Sequence, residues 1–455
     1  MSGAKWSARR VAAEVLYRVE SREAYAGMAL DSFFQKHPVP ARERAFATEL
    51  VYGALRRRNT LHWLLEQVSR RPLTEIDPRL LAILETAVYQ LWFLSGSPEY
   101  AVVHEAVELA RQGGHAGTAG FVNGVLRELL RQRWQISYPD PKEDPAGHLS
   151  LAGSHPRWLV ERWLGRWGFS EVQRLCALNN QPPPVVIRVN TLRTDGAGLA
   201  AALARDGYIC RPGRWVAEAL QLQAGEVPLA KTSAWQDGLC QVQDESSMMA
   251  SLVLDPRPGQ FVLDVCSAPG GKTTHLAALM KNRGRLLAID VHAHRLRLVA
   301  ENCRRLGVSI VQTCPGDARR VLPNLPNLAD RILLDAPCSG TGVLRRRPDA
   351  RWRINPNQIR DLPVLQGELL QAAANCLRPG GRLVYSTCSI EPEENEQVVA
   401  RFLAERSDYK AVDPPANLLQ GLTAVKPGMG VQLLPHRHGV DGFFIACLER
   451  VSRQE

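Results

Sequence analysis

The chain has 455 residues, 45% hydrophobic and 22% charged, which excludes a mainly disordered protein and gives room for two or three domains. Lys and Arg number 56 against 46 Asp and Glu, and the net charge of +10 favours a polyanionic partner. No run approaches the roughly 18 apolar residues of a membrane helix, and no apolar signal core follows the basic start MSGAKWSARR, so neither membrane spanning nor secretion is expected.

The first part reads as helices only. Ala8–Glu20 places Val11, Val15, Leu16 and Val19 on one helical face, and Glu43–Arg57 repeats the pattern. Asp77-Pro78 then opens RLLAILETAVYQLWFL, with Asp77 as N-cap and Pro78 in the first helical position. Val102–Arg111 and Gly120–Gln132 complete an all-α bundle over residues 1–136. Residues 137–150, containing SYPDPKEDPAG, read as an interdomain linker.

Residues 151–258 read as a small α+β domain. His155–Asn179 is helical and Trp-rich, Val185–Asn190 is a strand and Gly196–Asp206 a helix. Trp215–Leu222 and Leu239–Gln243 are short strand candidates. From residue 259 to 455 the period changes. Strands at Phe261–Val265, Arg285–Asp290, Ser309–Thr313, Arg331–Asp335 and Gly381–Thr387 alternate with helices, which predicts a doubly wound, mostly parallel α/β sheet of Rossmann type. Ligands of such sheets bind beyond the carboxyl ends of the strands.

The first of these strands runs into a glycine loop, Cys266, Ser267, Ala268, Pro269, Gly270, Gly271 and Lys272, and then a helix. Glycines let a ligand approach the backbone, and the free N–H groups of a helix start favour an anion. A phosphate loop would need Gly where Cys266 stands, and no G-x-G-x-x-G dinucleotide pattern is present. S-adenosylmethionine, whose amino-acid end carries a carboxylate, is the remaining reading. Asp290, Asp317 and Asp335 follow the second, third and fourth strands. They are candidates for the ribose hydroxyls, the adenine amino group and the reacting base. One strand-end acid is as often a turn or helix cap; a series beside a glycine loop is not.

Ten Cys begin at Cys176 and form no Cys-x-x-Cys pair, so reduced cytoplasmic thiols are expected, with neither a disulfide framework nor a metal. Two lie in ligand-side loops: Cys338 in LLDAPCSGTG and Cys388 in LVYSTCSIEPEENE. Carbon 5 of a pyrimidine is a poor nucleophile until a thiolate adds to carbon 6. Two thiols facing one cofactor fit that chemistry. A free thiol of pKa about 8.5 is mostly protonated at neutral pH. Lys272 is the expected electrostatic helper, and Asp335 the acid that hydrogen-bonds the cytosine ring.

The motifs CSAPGGKT, DAPCSGTG and STCSIEPEENE resemble those of the RNA 5-methylcytosine methyltransferase family. The resemblance, not the spacing, orders the two thiols: it implies that Cys388 attacks the base and Cys338 helps release the product. RAFATELVYGALRRR and GFVNGVLREL resemble a NusB-type RNA-binding domain. One bacterial subfamily fuses that domain to this core and modifies cytosine 967 of 16S rRNA. The resemblance therefore implies a 16S ribosomal RNA partner and S-adenosylmethionine as cofactor; a monomer is expected. A transfer RNA 5-methylcytosine methyltransferase would share the catalytic residues. A non-catalytic NusB-like RNA-binding or transcription factor would need neither thiol.

The charge excess falls on residues 256–455, at net +8. There VLRRRPDARWR follows the Cys338 loop, and Arg345, Arg346, Arg347, Arg351 and Trp352 are expected to meet RNA phosphates and bases.

Overall fold

The computed structural model describes residues 6–21, 24–114, 116–223, 225, 227–414 and 429–451. The chain divides into two compact units. One holds Met1–Pro182 together with Leu344–Arg353; the other holds Pro183–Val343 and Ile354–Glu455.

The first unit is helical: α1 Ala8–Ser21, α2 Ala26–Lys36, α3 Ala41–Val68, α4 Pro78–Phe93, α5 Glu99–Gly113, α6 Ala116–Gln132, α7 Pro145–Ala152, α8 Arg157–Trp167 and α9 Phe169–Asn179. Asp77 caps α4 as predicted, its side chain accepting from the N–H groups of Arg79 and Leu80. The apolar faces of α1 to α6 close around one core that includes Val11, Phe33, Leu50, Leu64, Leu84 and Leu126. The predicted linker is not a free tether. Tyr138 stacks on Trp63, Asp144 caps α7, and the α7 end is tied to α3 by Asn59 Nδ2 to Ser150 O (2.9 Å) and Thr60 Oγ1 to Leu151 O (2.6 Å). The packing groups residues 151–182 with the helical unit. Proline and charge signal a turn at Ser137–Gly147, but they carry no information about what the following helices bury.

The second unit has two sheets. The smaller is antiparallel, in the order β2 Ile209–Pro212, β3 Ala219–Gln223, β1 Val185–Val189 and β4 Cys240–Val242, with α10 Gly196–Ala204 and α11 Ser233–Gln236. After α12 Glu245–Leu254 comes the larger sheet. Its elements are β5 Phe261–Val265, α13 Gly271–Leu279, β6 Arg285–Asp290, α14 Ala293–Leu306, β7 Val311–Pro315, α15 Ala318–Val321, β8 Ala329–Asp335, α16 Pro356–Cys376, β9 Leu377–Thr387, α17 Glu396–Glu405, β10 Tyr409–Val412, β11 Val431–Leu433, α18 Pro435–His438 and β12 Phe443–Arg450.

The strand order is β10-β12-β9-β8-β5-β6-β7, with β11 also on β12. The run β9-β8-β5-β6-β7 is parallel, as predicted, while β10, β11 and β12 add antiparallel pairings, so the sheet is mixed. Alternate strand residues feed opposite layers. Val262, Leu333 and Val384 pack with Met248, Leu276 and Val299, whereas Leu263, Leu334 and Tyr385 pack with Leu370, Ala373 and Phe402. The connections leave β5 in one direction and β8 in the other, so a topological switch point opens between these two strands at their carboxyl ends.

Candidate active site

The glycine loop leaves β5 at that switch point. Cys266 turns the chain with a φ of 61°, and Gly270 has a φ of 98°, where a Cβ would come within 3.0 Å of Val299 Cα. Asp290, buried at the end of β6, holds the loop by accepting from Ala268 N (3.1 Å), and it also accepts from His292 N (2.9 Å). Arg295 and Asn302 donate to the carbonyls of Ala268 and Pro269, both at 3.0 Å. From the small sheet, the buried Arg188 donates to Gly271 O (2.7 Å), Thr274 Oγ1 (2.9 Å) and Gln243 Oε1; burial pushes its pKa down to about 9.

Two buried polar atoms here have no protein partner, Asp264 Oδ1 near the end of β5 and Ser267 Oγ in the loop. Asp264 accepts from Thr273 Oγ1 (2.6 Å) through its other oxygen, and burial pushes its carboxyl up to about 7. The first helical N–H of α13 to find an intrahelical carbonyl is that of Thr274, bonded to Gly270 O, so the N–H groups before it belong to the open first turn.

Lys272 Nζ pairs with Asp335 Oδ2 (2.8 Å) and lies 4.9 Å from the centre of the Phe443 ring. Its charge is therefore balanced by a carboxylate, and the expected service to a thiolate is replaced by an anchor for Asp335. Ser386 Oγ donates to the other Asp335 oxygen (3.0 Å). Asp317 caps α15 and is bidentate with Arg319, which holds its carboxyl below the usual range.

β8 and β9 are neighbours in register at Asp335 and Ser386, so the loops that follow lie side by side. Cys338 Sγ and Cys388 Sγ are 3.3 Å apart. Contact with Cys388 first, then burial, pushes the Cys338 thiol well above its ordinary pKa. Gly342 N donates to Cys388 O (2.9 Å), and a Cβ on Gly342 would fall 2.1 Å from Gly442 O; only glycine permits this approach. Beneath the thiols lies Glu394, fully buried. It accepts from Ser339 N (2.7 Å), Ser339 Oγ (2.5 Å) and Ser389 Oγ (2.5 Å), and at 3.3 Å from Gln366 Nε2. Asn395 joins Thr387 Oγ1 (2.5 Å) and Ser389 O (3.0 Å). Glu394 and Asn395 went unread in the sequence because EPEENE looks like a solvated acidic run. The available signal was a serine after each cysteine, two donors needing an acceptor.

The arginine run is largely taken inside the helical unit. Arg351 is completely buried and donates to Arg56 O (2.9 Å), Ser154 O (2.6 Å), Asn180 Oδ1 (2.8 Å) and Asn179 O (3.1 Å). Trp352 Nε1 donates to Leu55 O (2.7 Å), and Arg345 is 4% exposed. The phosphate and base contacts expected of Arg345, Arg351 and Trp352 are therefore corrected: their polar groups face protein. Ser154 O lies in a loop and Asn179 O at the last residue of α9, where carbonyls lack an intrahelical donor and can accept from a guanidinium. Arg346 is half-buried and Arg347 exposed.

Residues 251–449 match the family model of 16S rRNA methyltransferase RsmB/F, residues 7–131 the NusB family, and residues 155–229 an RsmF/B-like ferredoxin-like domain. A probable ribosomal RNA small subunit methyltransferase B from Bacillus subtilis (strain 168) is 38% identical over 451 residues, covering 98% of this chain and 99% of that one. The crystal structure of PH0851 superposes with a TM-score of 0.83 at 31% identity, over 98% of this chain and 100% of that one. NSun6 from Pyrococcus horikoshii, solved with SFG, gives a TM-score of 0.58 at 26% identity, over 65% of this chain and 98% of that one. With such similarity along nearly its whole length, the chain belongs to the RsmB/F methyltransferase family and is an S-adenosylmethionine-dependent methyltransferase.

Proposed function

We propose that this protein methylates carbon 5 of a cytosine in 16S rRNA, cytosine 967, through a covalent bond between Cys388 and carbon 6 of the base. The reading includes a cytoplasmic, monomeric enzyme. The observation that carries it is the pair of thiols 3.3 Å apart beside the glycine loop. The naming of the Bacillus subtilis relative as a small-subunit rRNA methyltransferase supports the substrate class.

The loop suits the cofactor's amino-acid end. The open first turn of α13 offers N–H groups to a carboxylate, and the unpartnered Asp264 Oδ1 and Ser267 Oγ are acceptors for an ammonium group. Asp290 and Asp317 are assigned to the ribose and adenine, with Cys266, Ala268, Pro269, Gly270, Gly271 and Lys272 forming the loop. Bound there, S-adenosylmethionine supplies an electrophilic methyl group.

The Cys388 thiolate adds to carbon 6 of the flipped-out cytosine, and Asp335 hydrogen-bonds the ring. Because Cys338 stays protonated, its S–H can donate to the Cys388 thiolate and stabilise the nucleophile. Carbon 5 then takes the methyl group and carries both it and a hydrogen. Once the Cys388 sulfur is bonded to carbon its charge is gone, and the largest influence raising the Cys338 pKa goes with it. Cys338 can then lose its proton to solvent and take the carbon-5 proton while the C–S bond breaks. Arg346 and Arg347 are the members of the arginine run left with surface for phosphate.

Mutation separates the two thiols. Cys388→Ala should form no covalent enzyme–RNA species and transfer no methyl group. Cys338→Ala should accumulate a methylated covalent complex that survives denaturing electrophoresis. Adducts in Cys388→Ala alone would reverse the roles, and full activity in both variants would remove covalent chemistry altogether.

A further inference from the structure

We infer that Glu394 is a positioning residue that sets the separation of the two thiols; this rests on the thiol chemistry proposed above. The thiols sit on loops from different strands, β8 and β9. Ser339 follows Cys338 and Ser389 follows Cys388, and both serine hydroxyls donate to one oxygen, Glu394 Oε2, at 2.5 Å. The other oxygen takes Ser339 N at 2.7 Å. One carboxylate is thus bonded to the residue after each cysteine. Its own backbone is pinned by Tyr385 OH, which donates to Glu394 O at 2.6 Å, and Gln366 Nε2 from α16 donates to Pro337 O at 2.9 Å on the far side of Cys338.

The position requires a carboxylate, not merely a polar side chain. Four donors converge on two acceptor oxygens, Gln366 Nε2 being the most distant at 3.3 Å. In an amide, one of those oxygens becomes an NH2 group that must donate. Ser389 Oγ already accepts from Glu391 N (3.0 Å), so it is poorly placed to accept again from an amide at the Oε2 position. Loss of the shared acceptor leaves each loop held by its own strand only, and the Cys338–Cys388 distance relaxes. Attack by Cys388 tolerates this better than release does. Release needs Cys338 at the carbon-5 proton while Cys388 is still bonded to carbon 6.

The test is Glu394→Gln in the full-length enzyme, with Ser389→Ala as a milder variant that removes one of the two hydroxyl donors. Both should bind S-adenosylmethionine and RNA with affinities within about twofold of the parent. In Glu394→Gln, kcat should fall by about 10- to 100-fold, the cost of misplacing reacting groups by an ångström or less, and the methylated covalent complex should accumulate. Ser389→Ala should show the same pattern more weakly. Unchanged kcat and adduct fraction in a folded Glu394→Gln protein would overturn the inference. So would a joint loss of cofactor affinity, melting temperature and kcat in both variants, which marks a merely structural carboxylate. Cys338→Ala measured alongside keeps the two readings apart. An adduct there beside an unaffected Glu394→Gln overturns this inference alone, whereas no adduct there overturns the thiol chemistry and this inference with it.

Discussion

The Cys338 loop and the arginine run lie within a few residues of each other, yet they meet opposite fates. Around the glycine loop and the thiols, burial leaves polar atoms without protein partners: Asp264 Oδ1 and Ser267 Oγ. In the run that follows, Arg351 is just as buried, but four carbonyl-type oxygens take its two terminal nitrogens, and within the guanidinium Nε alone lacks a partner. Burial of a polar side chain therefore does not distinguish a ligand site from a structural staple. What distinguishes them is whether the protein supplies the partners. An unfilled acceptor beside an open helix turn invites a ligand; a guanidinium ringed by its own protein's carbonyls holds helices together.

Three measurements sharpen that contrast. The largest effect is expected at Arg351. Arg351→Ala leaves those acceptors without their shared donor and opens a cavity, which should cost the helical unit about 3–5 kcal/mol in denaturant unfolding. Lysine has no planar fork and should rescue only part of this. A loss below about 1 kcal/mol would mean that the carbonyls find other donors and that the staple is dispensable.

A smaller effect follows from Asp264. Its carboxyl is pushed up to about 7 by burial, above the usual carboxylate range. Between the two values the folded protein keeps a proton that the unfolded chain has lost. Stability without cofactor should therefore fall as pH rises through that window, by at most about 4 kcal/mol. Asp264→Asn should flatten this slope, because the amide oxygen still accepts from Thr273, and should weaken S-adenosylmethionine binding. Identical pH slopes for the two proteins, followed by urea midpoints from pH 4 to 8, would show that Asp264 is ionised throughout.

The smallest effect belongs to Arg347. As an exposed member of a mostly buried run, Arg347→Ala should leave the melting temperature unchanged. It should lower the log–log salt slope of RNA binding by about 0.7–0.9, the worth of one phosphate contact. An unchanged slope would remove Arg347 from the RNA contact.

What could be read in the chain by itself was set over short range. The β5 strand, its glycine loop and the helix start are contiguous, so Gly270, Asp290 and Asp335 could be placed at strand ends from pattern alone. The Asp77–Pro78 cap is local in the same way. The cysteine motifs were legible as a constellation because each follows a recognisable strand, although the order of their roles came from resemblance. The short strand β2 and the late strands β10 to β12 escaped notice. β12 is a nearly continuous apolar run buried within the sheet, without the alternation or flanking helices that marked the others.

Tertiary structure alone decided the partners of charge. Nothing in RRRPDARWR tells Arg351 from Arg347; the carbonyls that claim Arg351 come from Arg56, Ser154 and Asn179, far away in sequence. Nothing in EPEENE marks Glu394 as the acid that bonds both serines, since those serines follow two different strands. Lys272 likewise meets Asp335 only because β5 and β8 are adjacent in the sheet. Sequence fixes what a side chain can donate or accept, but desolvation and geometry choose its partner, and both come into being only when distant segments pack.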